Sequence, residues 1–126
     1  MIIPTKPTGR MINYHFRDSE FTCRHCGMVM VHPELIRKLE LLRAMVDRPI
    51  TITSGYRCQA YQKVVNPKVP VSPHMFGMAA DIMIKGLTVD AIANRAEIAG
   101  FDGIGRYYGQ KFVHVDVCGS VRRWAE

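Results

Sequence analysis

Apolar residues recur at helical spacing in two stretches of the chain. The first stretch begins at His32-Pro33, where proline suits the first position of a helix. Its predicted buried face comprises Leu35, Ile36, Leu39, Leu42, Met45 and Val46. The second stretch follows Thr88, a favourable capping residue, and ends at Gly100, a residue type that often terminates helices. It runs through the apolar residues Val89, Ile92, Ala93, Ala96 and Ile98. The first helix is interpreted as core scaffold.

Four shorter segments have the pattern of strands. Residues 50–54 alternate in polarity, and residues 78–84 form an unbroken small and apolar run that is typical of a buried strand. Residues 103–108 and 112–117 flank Gly109-Gln110, which predicts a hairpin. With helices early and in the middle of the chain and strands concentrated late, the pattern predicts an α+β domain. We expect a small antiparallel sheet with flanking helices.

A carboxylate and two imidazoles occur within or beside these predicted strands. Asp81 lies in the middle of the apolar run, where a lone carboxylate is costly to bury without a partner or a metal ion. His74 precedes that run, and His114 lies in the last strand on the same face as Asp116. If the two strands share a sheet, His74, Asp81 and His114 converge. Two imidazoles and a carboxylate with an open fourth position are a ligand set of catalytic zinc, which predicts hydrolysis.

The residues around these ligands match a known pattern. Ser72-Pro-His-Met-Phe-Gly-Met-Ala-Ala-Asp81 is preceded by Ser54-Gly-Tyr-Arg57 and followed by His114-Val-Asp116. Over roughly residues 16–124 the chain resembles the LAS metallopeptidases, which are zinc D-alanyl-D-alanine carboxypeptidases and peptidoglycan endopeptidases and include phage endolysins. The resemblance implies a hedgehog/DD-peptidase-like fold and hydrolysis of a peptide bond in peptidoglycan stem peptides or cross-links. Carboxypeptidase, endopeptidase and phage or prophage lysin all remain open.

The resemblance also implies roles for residues beside the metal. The matching arginine of the family polarises the substrate carbonyl, so Arg57 is expected to stabilise the developing oxyanion. The family commonly has an acidic general base three positions before the last histidine ligand, where this chain has Lys111. Asp116 is the nearest alternative base, or else it orients the imidazole of His114, and both roles remain open. The residues predicted to bind substrate are Arg57, Ser72 and Tyr107, with Tyr108 as an alternative to Tyr107.

A cysteine pair lies outside this pattern. Residues 23–27 read Cys-Arg-His-Cys-Gly, which can supply half of a metal site, and His25 or His32 could add ligands. A structural metal, a disulfide and reduced thiols in a tight turn all remain open. Cys58 and Cys118 are expected to be isolated from this pair and from each other. The candidate ligands of a second metal are Cys23 and Cys26.

Length and composition place limits on the protein class. At 126 residues the chain suits one domain with one active site, preceded by an irregular arm over residues 1–14. The 48% hydrophobic and 22% charged residues disfavour a disordered chain. The first residues lack the pattern of a secretory signal, so we expect cytoplasmic synthesis with action on the cell wall, by phage-type release or another route.

The charge leaves other functions to consider. A formal net charge of +6 favours an anionic partner such as peptidoglycan, although solubility alone could explain it. Nucleic-acid binding is disfavoured because aromatic residues do not alternate with basic ones along any stripe. The alternative function is a zinc-bearing binding or structural module without catalysis, such as a phage tail component, and Lys111 is its main support. We expect a monomer that acts on peptidoglycan.

Overall fold

A computed structural model describes residues 3–126, which fold around one five-stranded sheet. The strands are β1 (Thr51–Ser54), β2 (Ala79–Met83), β3 (Gly103–Tyr107), β4 (Phe112–Asp116) and β5 (Arg122–Ala125). The helices are α1 (Pro33–Val46), α2 (Gln59–Val65) and α3 (Val89–Ala99), and two 3₁₀ helices span Asp18–Phe21 and Pro73–Phe76. The order across the sheet is β1-β2-β4-β3-β5. This architecture confirms the predicted α+β class.

The two faces of the sheet differ in chemistry because side chains alternate along each strand. One face is apolar and packs with α1 and α3 in the hydrophobic core. Its buried strand residues are Ala80, Ile82, Ile104, Val113 and Val115. The opposite face carries Asp81, His114 and Asp116, which are also buried. The alternation therefore separates a core face from a polar face, and the polar face carries the predicted site.

The two long helices begin and end where their caps predict. The His32 side chain accepts a hydrogen bond from the Glu34 N–H and thereby caps α1. Thr88 caps α3 through the Ala91 N–H, and Gly100 ends that helix with φ 90°. His32 is thus a helix cap and not a ligand of the cysteine pair. Over residues 3–126, no helix is both long and apolar enough to cross a membrane.

One residue assigned to the apolar face of the first helix is exposed. Met45 is 40% exposed, because at 3.6 residues per turn it lies at the margin of the α1 arc that faces the core. The prediction for this position was wrong, although both helices are confirmed. In α3, Ile98 lies on the far side from the buried residues and is 76% exposed.

The sheet contains one strand that the pattern did not predict. β5 pairs in parallel with β3, so the sheet is mixed, not wholly antiparallel as expected. Its sequence is Arg-Arg-Trp-Ala, and only the side chains at alternate positions are partly buried. Such a short, charged segment carries little strand signal of its own, and its conformation depends on pairing with β3. The other three strand pairings, β1–β2, β2–β4 and β3–β4, are antiparallel.

The described part of the N-terminal arm is held by a carboxylate. Asp18 is the first residue of the 3₁₀ helix Asp18–Phe21. Its carboxylate accepts hydrogen bonds from the Thr8 N–H at 2.8 Å and the Gly9 N–H at 2.8 Å. A bridge between Thr5 and Val29 adds a second attachment. Residues 1 and 2 of the predicted arm lie outside the described residues.

Candidate metal centre

The three predicted metal ligands arrive from two strands and one turn. Asp81 on β2 lies directly opposite His114 on β4, which puts their side chains on the same face. His74 comes from the 3₁₀ helix that precedes β2. The Ser72 hydroxyl accepts a hydrogen bond from the His74 N–H at 3.3 Å, and Gly77 ends the turn with φ 67°. The local cap and the glycine together orient the imidazole towards the sheet.

The structure brings these three side chains together. His74 Nε2 lies 3.3 Å from Asp81 Oδ1, and His114 Nδ1 lies 3.2 Å from the same oxygen. One potential ligand atom from each residue lies within 4.8 Å of the others. All three side chains are buried: His74 is 1% exposed, Asp81 4% and His114 7%. A buried group of two imidazoles and one carboxylate matches the donor set expected for zinc.

In each imidazole, the nitrogen that faces away from Asp81 makes a hydrogen bond that determines the tautomer. The other nitrogen then faces Asp81 with a lone pair. His74 Nδ1 donates to the Gly55 carbonyl oxygen at 2.7 Å, and His114 Nε2 donates to Asp116 Oδ2 at 2.7 Å. These tautomers are assigned from the partners, since both oxygens can only accept. In the neutral imidazoles, His74 Nε2 and His114 Nδ1 then carry lone pairs.

These lone pairs make the centre fit a cation. His74 Nε2 is buried and has no hydrogen-bond partner among the described residues. His74 Nε2 and His114 Nδ1 both face Asp81 Oδ1. Three hydrogen-bond acceptors therefore converge, and His74 supplies no proton between them. Buried polar atoms are rarely left unpaired, and a metal ion would satisfy all three at once. The residues present therefore fit a bound zinc ion.

Burial and charge act differently on the two imidazoles. Burial lowers the pKa of His74, which keeps this residue neutral and able to donate a lone pair. Burial would also lower the pKa of His114, but the hydrogen bonds and charges of Asp116 and Asp81 raise it above the usual value. Burial alone would raise the pKa of Asp81, and the two imidazoles hold it well below its usual range. The Asp81 carboxylate therefore stays ionised at neutral pH.

Arg57 donates a hydrogen bond to Asp81 Oδ2, the oxygen that the imidazoles do not face. Its Nη2 donates to Asp81 Oδ2 at 2.9 Å, its Nε donates to Ser54 Oγ at 3.0 Å, and its Nη1 donates to Gln62 Oε1 at 3.2 Å. The Arg57 backbone N–H also donates to the His74 carbonyl oxygen at 3.1 Å. A guanidinium has five N–H donors, so two side-chain donors remain for another acceptor. Arg57 lies beside the centre, as predicted.

Asp116 lies behind His114, on the side away from Asp81. It is fully buried, and its Oδ1 accepts a hydrogen bond from the Gly103 N–H at 3.0 Å. Its Oδ2 accepts from both His114 Nε2 at 2.7 Å and Arg122 Nη2 at 2.5 Å. Both carboxylate oxygens are therefore engaged. Of the two roles left open by the sequence, this geometry favours orienting His114 over acting as a general base.

An open cavity of about 600 Å³ lies over the centre. Of the residues predicted to bind substrate, Arg57, Ser72 and Tyr107 all line it, whereas Tyr108 is not among its lining residues. The Tyr107 hydroxyl accepts a hydrogen bond from Trp124 Nε1 at 2.9 Å, and its ring stacks on Phe112. The Tyr108 hydroxyl instead donates to Asp90. The cavity is large enough for a peptide segment.

Two residues of this cavity were missed because one lies in the unpredicted strand β5 and the other directly follows it. Trp124 on β5 lies with its ring centroid 5.1 Å from that of His114. Glu126 follows β5 and also lines the cavity. Burial raises the pKa of Tyr107, and the charge of Glu126 acts in the same direction. Without the β3–β5 pairing, no signal in the sequence connects Glu126 with the centre.

Lys111, which stands at the usual position of the acidic base, lies in the β3–β4 turn with φ 62°. It is exposed and is not among the residues that line the cavity. Among the described lining residues, the carboxylates are Asp81 and Glu126. Since Asp81 already contacts both imidazoles and Arg57, Glu126 is the carboxylate left to exchange a proton with a bound molecule.

The cysteine pair has a third partner. The sulfurs of Cys23, Cys26 and Cys58 lie within 4.8 Å of one another, so the prediction that Cys58 is isolated was wrong. Cys23 and Cys58 are 35 positions apart in the chain, and the turn after β1 brings Cys58 back to residues 23–27. Cys118 lies elsewhere, with its sulfur beside Arg122. All four cysteines are free thiols.

Comparisons with known proteins identify relatives of this chain. The chain is 30% identical to the peptidoglycan L,D-endopeptidase MepK of Escherichia coli K12 over 122 residues, covering 90% of this chain and 63% of MepK. The figures for MepK of Shigella flexneri are the same. The crystal structure of the L-Ala D-Glu endopeptidase ChiX of Serratia marcescens matches with a TM-score of 0.47 and 23% identity, covering 55% of this chain and 61% of ChiX. The chain thus spans less than two thirds of these relatives.

The family assignment rests on a longer match. The family model described as Peptidase M15 matches residues 12–116, a range that includes all three candidate ligands, Arg57 and Asp116. This range is most of the chain and contains β1 to β4, which build the centre. The resemblance inferred from the residues is thereby confirmed at the family level, and this chain belongs to the peptidase M15 family.

Proposed function

We propose that this protein is a zinc-dependent endopeptidase that cleaves a peptide bond in bacterial peptidoglycan. The observation that carries the proposal is the convergence of His74 Nε2 and His114 Nδ1 on one oxygen of Asp81, beneath an open cavity. The L,D-endopeptidase activity of the relative MepK favours endopeptidase over carboxypeptidase action. The implied place of action is the cell wall.

His74, Asp81 and His114 would hold the metal ion. When bound, zinc supplies Lewis-acid polarisation of a carbonyl group and a water that is nucleophilic at neutral pH. Asp116 Oδ2 accepts the hydrogen bond that His114 Nε2 donates. This contact holds His114 in the tautomer whose Nδ1 is free to bind the metal ion. Gly55 does the same for His74 through its backbone carbonyl. These outer contacts fix both imidazoles before any metal binds.

Arg57 and Glu126 would serve the reacting peptide. Arg57 retains two N–H donors that can stabilise the negative charge that develops on the substrate carbonyl oxygen. We propose that the Glu126 carboxylate accepts the proton of the attacking water and returns it to the leaving amine. In this proposal Glu126 takes the role of the acidic general base that the family commonly has at the position of Lys111.

One cationic side chain of the cavity can meet an acidic peptide. Arg24, Arg57 and Arg122 line the cavity, together with the carboxylates of Asp81 and Glu126. Arg57 is paired with Asp81 and Arg122 with Asp116, so Arg24 is the lining arginine that has no ion pair among the described residues. Peptidoglycan stem peptides carry free carboxylates, which Arg24 would attract. The net charge of +6 acts in the same direction over the whole chain.

A zinc-bearing module without catalysis is the second candidate. The observation that favours it is Lys111, which is exposed and outside the cavity. If Glu126 does not accept a proton, the described cavity offers no carboxylate for this step other than Asp81. The two candidates share the metal centre and differ only in turnover.

Incubation with purified peptidoglycan and mass spectrometry of released fragments tests the proposal. We expect new peptide termini with the wild type and none with Asp81→Asn, whose amide is a weaker ligand. Asp47→Asn is the matched control, since the Asp47 side chain is fully exposed and remote from the centre. The masses also identify the bond that is cut. A zinc-loaded wild type that releases no fragment from several wall chemotypes would favour the silent module.

A further inference from the structure

A second cluster of metal-binding side chains lies outside the catalytic centre. Residues 23–27 form a tight knuckle, in which the Cys23 N–H donates to the Met28 carbonyl and the Gly27 N–H donates to the Cys23 carbonyl, at 2.8 and 2.9 Å. Gly27 adopts φ 74°, which glycine tolerates best. This turn directs the sulfurs of Cys23 and Cys26 to one side, where Cys58 meets them.

Backbone amides and an imidazole complete the surroundings of the sulfurs. The Cys23 sulfur accepts a hydrogen bond from the backbone N–H of Cys58 at 3.4 Å. Burial alone would raise the pKa of the Cys23 thiol, but the backbone amides around this sulfur lower it. Amide donors directed at sulfur favour a thiolate, which is the form that binds metal. His25 Nδ1 lies 3.5 Å from the Cys58 sulfur and is the nearest imidazole for a fourth position.

We propose that Cys23, Cys26 and Cys58 bind a second zinc ion, which is structural. Three thiolates with one nitrogen donor are a common structural zinc set, and sulfur ligands select zinc over magnesium or calcium. The cluster uses none of the residues of the catalytic centre, so the inference does not depend on the proposed catalytic function. A disulfide between any two of these cysteines would leave the third thiol unpaired, whereas one zinc ion engages all three.

The position of the cluster suggests what the metal does. Cys58 directly follows Arg57 in the chain, so the second zinc would fix the segment that carries this arginine. The same segment packs closely on the knuckle side, because a Cβ at Gly55 would lie 2.6 Å from the Phe21 Cα. The Tyr56 N–H donates to the Phe21 carbonyl at 2.9 Å. The structural zinc would thus tie the N-terminal part of the chain to the wall of the cavity.

Metal content of matched variants tests the proposal. We expect about two zinc ions per wild-type chain and about one in Cys58→Ser and in the double variant Cys23→Ser, Cys26→Ser. Cys118→Ser is the matched control and should keep both ions. His74→Ala should lose only the other ion, so failure of the catalytic centre and failure of the cysteine site are distinguishable. One zinc ion in the wild type that is lost in His74→Ala would overturn the proposal.

A second measurement on the wild type does not require the variants to fold. With zinc bound, Cys23, Cys26 and Cys58 should resist alkylation while Cys118 reacts, as read by peptide mass spectrometry. A chelator should make Cys23, Cys26 and Cys58 reactive together. Replacement of zinc by cobalt should give a thiolate charge-transfer absorption that persists in His74→Ala. Rapid alkylation of all four cysteines without chelator, or recovery of two of the three as a disulfide, would overturn the proposal.

Discussion

Asp116 Oδ2 lies 2.7 Å from His114 Nε2, on the side of the imidazole that faces away from Asp81. Because a carboxylate can only accept, this contact places the imidazole proton on Nε2 and leaves Nδ1 as the metal-binding nitrogen. The same oxygen is held by Arg122, and the other oxygen accepts the Gly103 N–H. The sheet itself therefore determines the tautomer of a predicted ligand.

Asp116→Asn should weaken zinc binding by His74, Asp81 and His114 by about 10–100-fold, because an amide can present an N–H to His114 and favour the wrong tautomer. Competition with a zinc chelator measures the affinity, and Asp47→Asn provides the control. If the variant binds zinc as tightly as the wild type and loses only turnover, Asp116 transfers a proton and does not orient the imidazole.

Glu126→Gln should lower the rate of peptide-bond cleavage by about 10²–10⁴-fold while zinc binding stays unchanged, since a positioned base contributes this much. Fragment release from peptidoglycan measures the rate. The matched control is Glu97→Gln, because Glu97 pairs with Arg123 and is not among the residues lining the cavity. Full activity of Glu126→Gln would exclude Glu126 as the base.

Gly103→Ala should destabilise the protein by about 1–3 kcal/mol and weaken zinc binding, because a Cβ there would lie 2.1 Å from Asp116 Oδ2. Asp116 is fully buried, and its carboxylate has four hydrogen-bond partners, so it cannot move away without losing contacts. Gly109→Ala is the control, since a Cβ at that position meets nothing within 4 Å. Urea unfolding measures the stability, and equal stability of the two variants would contradict the argument.

Asp18→Asn should lower the free energy of unfolding by about 1 kcal/mol at neutral pH, through weaker hydrogen bonds from the arm. The Thr8 N–H, with further help from Gly9, holds the pKa of Asp18 below its ordinary value. The folded form therefore binds this proton less readily, so the stabilisation is present above the unfolded pKa of about 4 and is lost as pH falls through the folded pKa.

Urea unfolding of wild type and Asp18→Asn across this pH range checks the sign. The two curves should be furthest apart at neutral pH and should approach each other in acid. Asp47→Asn again controls for the loss of one negative charge. A difference that grows as the pH falls would show that Asp18 does not anchor the arm through its charged form.

The parts of the fold that local chemistry determines could be predicted from the sequence. Pro33, Thr88 and Gly100 mark helix ends through their own backbone preferences, and the alternation of residues 112–117 assigns His114 and Asp116 to one face. The grouping of His74, Asp81 and His114 followed once β2 and β4 were assumed to share a sheet. The metal-ligand roles of these residues stay predictions.

The remaining features depend on contacts between distant segments. β5 has no strong strand pattern and is defined by its pairing with β3, and Glu126 reaches the cavity only through that pairing. Cys58 reaches Cys23 because the turn after β1 packs on the knuckle, a contact across 35 positions. Neither contact follows from periodicity or spacing along the chain.

The pairing of Asp81 with His114 also has a consequence for strand alignment. The apolar side of this ladder pairs Ala80 with Val115 and Ile82 with Val113, and a slip by two residues would set Ile82 against Val115 with little apolar loss. The same slip would set Asp81 against Asp116, bringing two buried carboxylates face to face. The polar face thus selects one register where the apolar face would accept another, and a bound metal ion would add its own binding energy to that choice.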